Sequence, residues 1–279
     1  MSYASILVHV ETGSTSSDAR LDLASGLARR FNATLIGLAA EAMRPPIVDA
    51  FGGAVLIGEV LAAEEEQIRS ELAGAERKFR SHPALQELEA EWLAYVDLPA
   101  QVLAREARSA DLVVIGRDLE RLRAGMYRTP DPGEVIMAAG RPVLVVPPGA
   151  AKLDASHVVV AWKDTREARR AVWDASPFLR AAEAVHVIEV AAAAEIQEAT
   201  ARVSDVVRHL ERHQVKAKGE VRTQRETSAA DELILVAEQH GADLIVAGAY
   251  GHARIREWVL GGVTRDLLTH CPKCCLFSH

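Results

Sequence analysis

The stretch Ala110-Asp111-Leu112-Val113-Val114-Ile115-Gly116 recurs as Ala242-Asp243-Leu244-Ile245-Val246-Ala247-Gly248. Two more stretches keep the same order: Ile6–Val10 returns as Val158–Trp162, and Arg141–Val146 has its counterpart in Cys271–Phe277. Three matches in register, about 130–150 residues apart, mean two copies of one folding unit. A length of 279 residues is enough for two domains. The boundary falls in Pro147–Lys152, a short proline- and glycine-containing segment, giving domains 1–150 and 151–279 that pack closely.

Each repeated run is continuously apolar, as a strand buried on both faces of a parallel sheet must be. Between the runs lie helical patterns. In the first copy the cap-rich Thr12–Ser16 leads into a helix to Phe31, and Thr34–Ala39 reads as strand. Leu61, Ile68, Leu72, Ala75 and Phe79 form one stripe of an amphipathic helix. Glu89–Val96 then reads as strand and Pro99–Arg108 as helix. The second copy gives strands near 157–162, 184–190, 215–222, 243–248 and 274–278, with helices near 166–180, 193–213, 228–240 and 262–270. The fold class is therefore α/β: two tandem Rossmann-like domains, each a five-stranded parallel sheet with helices on both faces.

Composition narrows the function. The net charge of −7 leaves no basic field for nucleic acid or an anionic membrane surface. No run of 18 apolar residues occurs, and the N-terminus lacks the basic and apolar regions of a signal peptide, so the expected location is the cytoplasm. The three cysteines, all within Cys271–Cys275, make no disulfide framework. Zinc is disfavoured because Cys274 and Cys275 are neighbours on a strand and point to opposite faces.

Ligands of such sheets bind beyond the carboxyl ends of the strands. There the second copy runs Gly248-Ala249-Tyr250-Gly251-His252 and, with nine residues between Gly251 and Gly261, Gly261-Gly262-Val263-Thr264 at a helix start. Glycines admit close backbone approach, and a helix N-terminus offers unpaired N–H donors, so these segments suit a phosphate. The alternative is that the glycines only shape a loop and begin a helix.

The spacing Gly248-x2-Gly251-x9-Gly261-Gly262-Val263-Thr264 resembles the nucleotide-binding signature of the universal stress protein family, Gly-x2-Gly-x9-Gly-(Ser/Thr). Cys271-Pro272 and His186-Val187-Ile188-Glu189 are similar to the family pattern too, and the resemblance spans both copies. It implies a stress-linked protein that binds ATP or AMP, with Mg2+ alongside the phosphates. By position it implies that Ala161, Trp162 and Lys163, with Val187 and Ala247, border adenine and ribose. It also implies that Gly248, Gly251, His252, Gly261, Gly262, Val263 and Thr264 hold ribose and phosphates. Lys163 stands where the family has Asp, and Gly262 where it has Ser or Thr. A lysine cannot accept a bond from a ribose hydroxyl, although it can reach a phosphate.

The first copy lacks the second loop glycine after Gly116; Pro130 and Pro132 interrupt its later part, and Glu134 would face any phosphate. It also carries 15 Lys/Arg against 21 Asp/Glu, whereas residues 151–279 carry 17 against 18. It reads as a structural or partner-binding copy, and Gly133→Val there should leave nucleotide binding unchanged. No nucleophile–base pair stands out, so no catalytic residue is assigned. Two readings remain: a nucleotide-regulated stress protein, or a nucleotide-independent interaction module with a decayed site. In both, the short linker makes the copies an internal pseudo-dimer; the resemblance implies pairing through Val143–Val146 and Cys274–Phe277, which would also cover edge strands that otherwise invite aggregation. A further homodimer is compatible with this layout.

Overall fold

The computed structural model describes residues 2–12, 16–44, 54–117, 125–224, 228–250 and 262–279. The first half runs β1 (Ser5–His9), α1 (Ser16–Phe31), β2 (Thr34–Ala40), α2 (Ala54–Ser81) and β3 (Ala90–Tyr95). It continues with α3 (Pro99–Glu106), β4 (Leu112–Gly116), α4 (Pro132–Ala138) and β5 (Val143–Val146). The second half repeats this order: β6 (His157–Ala161), α5 (Arg166–Asp174), α6 (Ser176–Ala181), β7 (Ala184–Ala191), α7 (Ile196–Arg212) and β8 (Ala217–Thr223). It closes with α8 (Ala229–Gln239), β9 (Leu244–Gly248), α9 (Gly262–His270) and β10 (Cys274–Ser278).

All ten strands form one sheet in the order β3-β2-β1-β4-β5-β10-β9-β6-β7-β8. Pairing is parallel within each half and antiparallel where β5 meets β10, with Leu144 opposite Leu276 and Val143 opposite Phe277. The two last strands therefore pair with each other, as the sequence led us to expect, and neither is left as an open apolar edge.

The repeated Ala-Asp pairs have the same task in both halves. Asp111 Oδ2 accepts from the backbone N–H groups of Ala4 and Ser5 at 2.7 and 3.1 Å. Asp243 Oδ2 accepts from those of Asp154 and Ala155 at 2.9 and 3.1 Å. Each carboxylate thus ties the fourth strand of its half to the start of the first.

The helices divide between the two faces of the sheet. Val8, Val114, Val160, Leu276 and Cys274 point into the core under α1, α5, α6 and α7. Ile115, Ile245, Phe277 and Cys275 point into the core under α3, α4, α8 and α9. Cys274 and Cys275 do lie on opposite faces. The first of these cores crosses between the halves through Tyr3, Phe31 and Phe178, whose ring centroids are 5.1–5.6 Å apart. Tyr3 also donates its hydroxyl to Asp174 O at 2.7 Å, and Arg170 donates to Gly140 O at 2.7 Å.

Two expectations need correction. The helix expected over 166–180 is two helices, because Pro177 has no N–H to donate and its ring clashes with the carbonyl four residues back. Ser176 donates its hydroxyl to Trp173 O at the break. Pro132 does not interrupt the first half: it occupies the first turn of α4, where no N–H is needed, and Asp131 caps that helix by accepting from Glu134 N–H at 3.0 Å.

Candidate functional site

In the second half the candidate site lies where the chain leaves the sheet in opposite directions. β6 and β9 are neighbours, with Val160 opposite Val246 and Ala161 opposite Ala247. The chain after β6 crosses to α5 on one face, whereas the chain after β9 leads to α9 on the other. Strand order reverses here, and a crevice opens at the carboxyl ends of the two strands. α9 precedes β10, which is parallel to β9, so its N-terminus lies on the same edge of the sheet.

Ala161 is half-buried, Trp162 buried and Lys163 exposed at the end of β6, while Ala247 is buried and Gly248 half-buried at the end of β9. Thr165 caps α5 by accepting from Ala168 N–H at 3.3 Å. The first turn of α5 then rests on Gly248: a Cβ there would overlap the backbone of Glu167 and Ala168. Packing alone accounts for this glycine. Gly262 opens α9, and among the described residues nothing lies within 4 Å of where its Cβ would project; Val263 is half-buried and Thr264 buried. Gly251, His252 and Gly261 lie outside the described residues.

Val187 is not at the crevice. It sits mid-strand opposite Val160, fully buried in the core. The β7 residue level with Ala161 is Ile188, whose carbonyl accepts from Trp162 N–H at 2.8 Å. A match on the motif located the strand but not the depth of the residue along it.

The corresponding place in the first half is filled by the chain itself. A Cβ on Gly116 would overlap the guanidinium of Arg20. Arg20 Nη2 lies 3.4 Å from Glu11 Oε1 and 3.2 Å from Ser17 Oγ, while Glu11 N–H donates to the same hydroxyl at 2.9 Å. Arg20 and Glu11 are 3% and 5% exposed, so this is a buried ion pair. His9 lies beside it, 3.9 Å from Glu11, and burial depresses its pKa to about 4. Sequence had shown that the first copy lacks the second loop glycine; the arginine that covers Gly116 from four residues into α1 was not recognised.

Tyr250, between Ala249 and Gly251, was also missed. It has φ +60°, unusual for a bulky residue, and its loop is held by Ala249 N–H donating to Ser278 O at 2.9 Å. Its ring turns toward the first half. A Cβ on Gly133 would lie 2.5 Å from Tyr250 Oη, and burial, then the nearby Asp131, push its pKa up to about 12. Gly133 therefore lies against Tyr250 of the second half, and a side chain at Gly133 would press on the tyrosine. Arg117 makes a second bridge, donating to Leu267 O in α9 at 3.2 Å.

Residues 154–278 match the sequence model of the universal stress protein family. The second half is thus a universal stress protein domain. A universal stress protein from Archaeoglobus fulgidus has the same fold over both halves: 14% identity, 98% of this chain and 95% of that chain, TM-score 0.68. A functionally unknown protein from Pseudomonas aeruginosa is similar at 16% identity, over 99% of this chain and 92% of that one, with a TM-score of 0.57. The family match covers the second half, and the first half repeats its fold in tandem. No curated protein sequence is similar to it.

Proposed function

We propose that residues 151–279 bind ATP or AMP at the crevice between β6 and β9, and that residues 1–150 form a partner domain without nucleotide. The observation that carries this reading is the strand-order reversal, with Gly248 ending β9 and Gly262 opening α9 on the same edge of the sheet. Ala161, Trp162, Lys163 and Ala247 border adenine and ribose. The backbone N–H groups of Gly248, Gly251 and Gly261–Thr264, with His252, take the phosphates, and Mg2+ accompanies them. Bound nucleotide acts as a regulatory ligand in a stress response in the cytoplasm, and it works by favouring one arrangement of the two halves about the contact of Tyr250 with Gly133.

An interaction module without nucleotide is the second reading. It is favoured by Lys163, exposed where an acceptor would serve ribose, and by Gly248, which packing already requires. Mass spectrometry of small molecules released from freshly purified, denatured protein separates the two. Adenine nucleotide at near one per chain supports binding; its absence, with no ATP binding at millimolar concentration, supports the module.

A further inference from the structure

A cavity of about 400 Å³ opens on the face of the sheet that carries α5, α6 and α7, in the groove between α5–α6 and α7. Its size is that of a small-molecule site. The floor is apolar: Val172, Leu179, Val206, Leu210 and Val215 line it, all buried. Trp162 forms one wall, and its buried indole N–H has no acceptor among the described residues. Trp173 stands at the lip, 50% exposed, a large aromatic surface in contact with solvent.

The charges at the mouth decide what fits. Asp164 is held by Arg169 at 2.6 Å, and Asp205 by Arg208. Arg202 is bound by Glu189 at the end of β7, with Nε at 3.1 and 3.3 Å from the two carboxylate oxygens. Arg180 also lines the mouth, exposed, and makes no ion pair among the described residues. His209 and His213 face the same opening with ring centroids 4.8 Å apart, and Trp173 meets His213 edge-on. One cation at the mouth is therefore left without a carboxylate, beside two imidazoles and an indole, above an apolar floor.

We propose that this cavity is a second ligand site, for a small monoacid whose aromatic or acyl body fills the groove and whose carboxylate meets Arg180 at the mouth. It opens on the face of the sheet that carries α5, α6 and α7, sharing Trp162 with the proposed crevice between β6 and β9, and it takes the acid whether or not nucleotide is bound.

Isothermal titration of the full chain with naphthoate and with its neutral analogue naphthamide tests this. The acid binds at least about tenfold more tightly than the amide, because only the carboxylate completes a charge-assisted pair with the arginine. Arg180→Gln, at an exposed position that leaves the fold intact, brings the acid down to the amide's affinity. Val206→Phe, which fills the groove, removes binding of both while the thermal melt stays cooperative. The proposal is overturned if wild-type protein shows no saturable binding of the acid, or if acid and amide bind equally. Unchanged acid affinity in Arg180→Gln overturns it too, whatever the folding of Val206→Phe.

Discussion

Tyr250 of the second half lies with its hydroxyl against Gly133 of the first, so close that a Cβ on the glycine would be 2.5 Å from the phenol oxygen. Tyr250, two residues after β9, is thus packed against the other half of the chain. Gly133→Val must displace Tyr250 and is expected to weaken ATP binding on the order of tenfold, the usual cost of an overpacked contact. In Tyr250→Ala the same substitution should cost little more. A double-mutant cycle by titration calorimetry reads the coupling, and strict additivity would show that the contact carries no information to the loop.

The buried pair Glu11–Arg20 makes a stability prediction. Arg20→Met leaves a carboxylate with 5% exposure and without its guanidinium, at a cost of about 3–5 kcal/mol in chemical denaturation. Pairing it with Glu11→Gln should recover most of that loss. If Arg20→Met is as stable as wild type, the ion pair does not hold the first half's crevice closed.

Acid sensitivity follows from His9. Its folded pKa of about 4 lies below the ordinary 6.5, so between these values the unfolded chain binds more protons than the folded one. Stability from this group is therefore complete above pH 6.5 and is lost as pH falls toward 4, by about 3 kcal/mol in all. Denaturation across that window should show a shallower slope in His9→Leu, and an identical slope would contradict the assignment.

Gly262 is the position where this domain departs from the family signature at no steric cost. A Cβ there meets nothing within 4 Å among the described residues. Gly262→Ser should raise ATP affinity roughly fivefold by adding one hydroxyl donor at the helix start. Lys163→Asp is informative in sign: tighter binding marks the lysine as a lost ribose acceptor, weaker binding marks it as a phosphate contact.

The repeat made most of this architecture legible. Continuous apolar runs such as Leu112–Gly116 and Cys274–Ser278 can only be strands covered on both faces, and both are buried along their whole length. The pairing of the two last strands came from the family resemblance, whereas its register, with Leu144 opposite Leu276, is seen in the structure alone. Contacts between distant segments were not legible. Nothing local in Gly133 signals Tyr250, which is over a hundred residues away, and nothing in Arg20 signals that its guanidinium lies over Gly116. Val187 was placed on the right strand, but the depth of a residue beneath a strand end depends on register, which a motif does not encode.

The central claim is one nucleotide per chain, held by the second half. Titration of the intact protein with ATP tests it most directly, alongside Gly261→Val and a thermal melt of each. The account predicts saturable micromolar binding with a stoichiometry of one, abolished by Gly261→Val in a protein that still melts cooperatively. Two sites per chain would contradict the closed crevice under Arg20, and no binding at millimolar ATP would contradict the nucleotide reading itself.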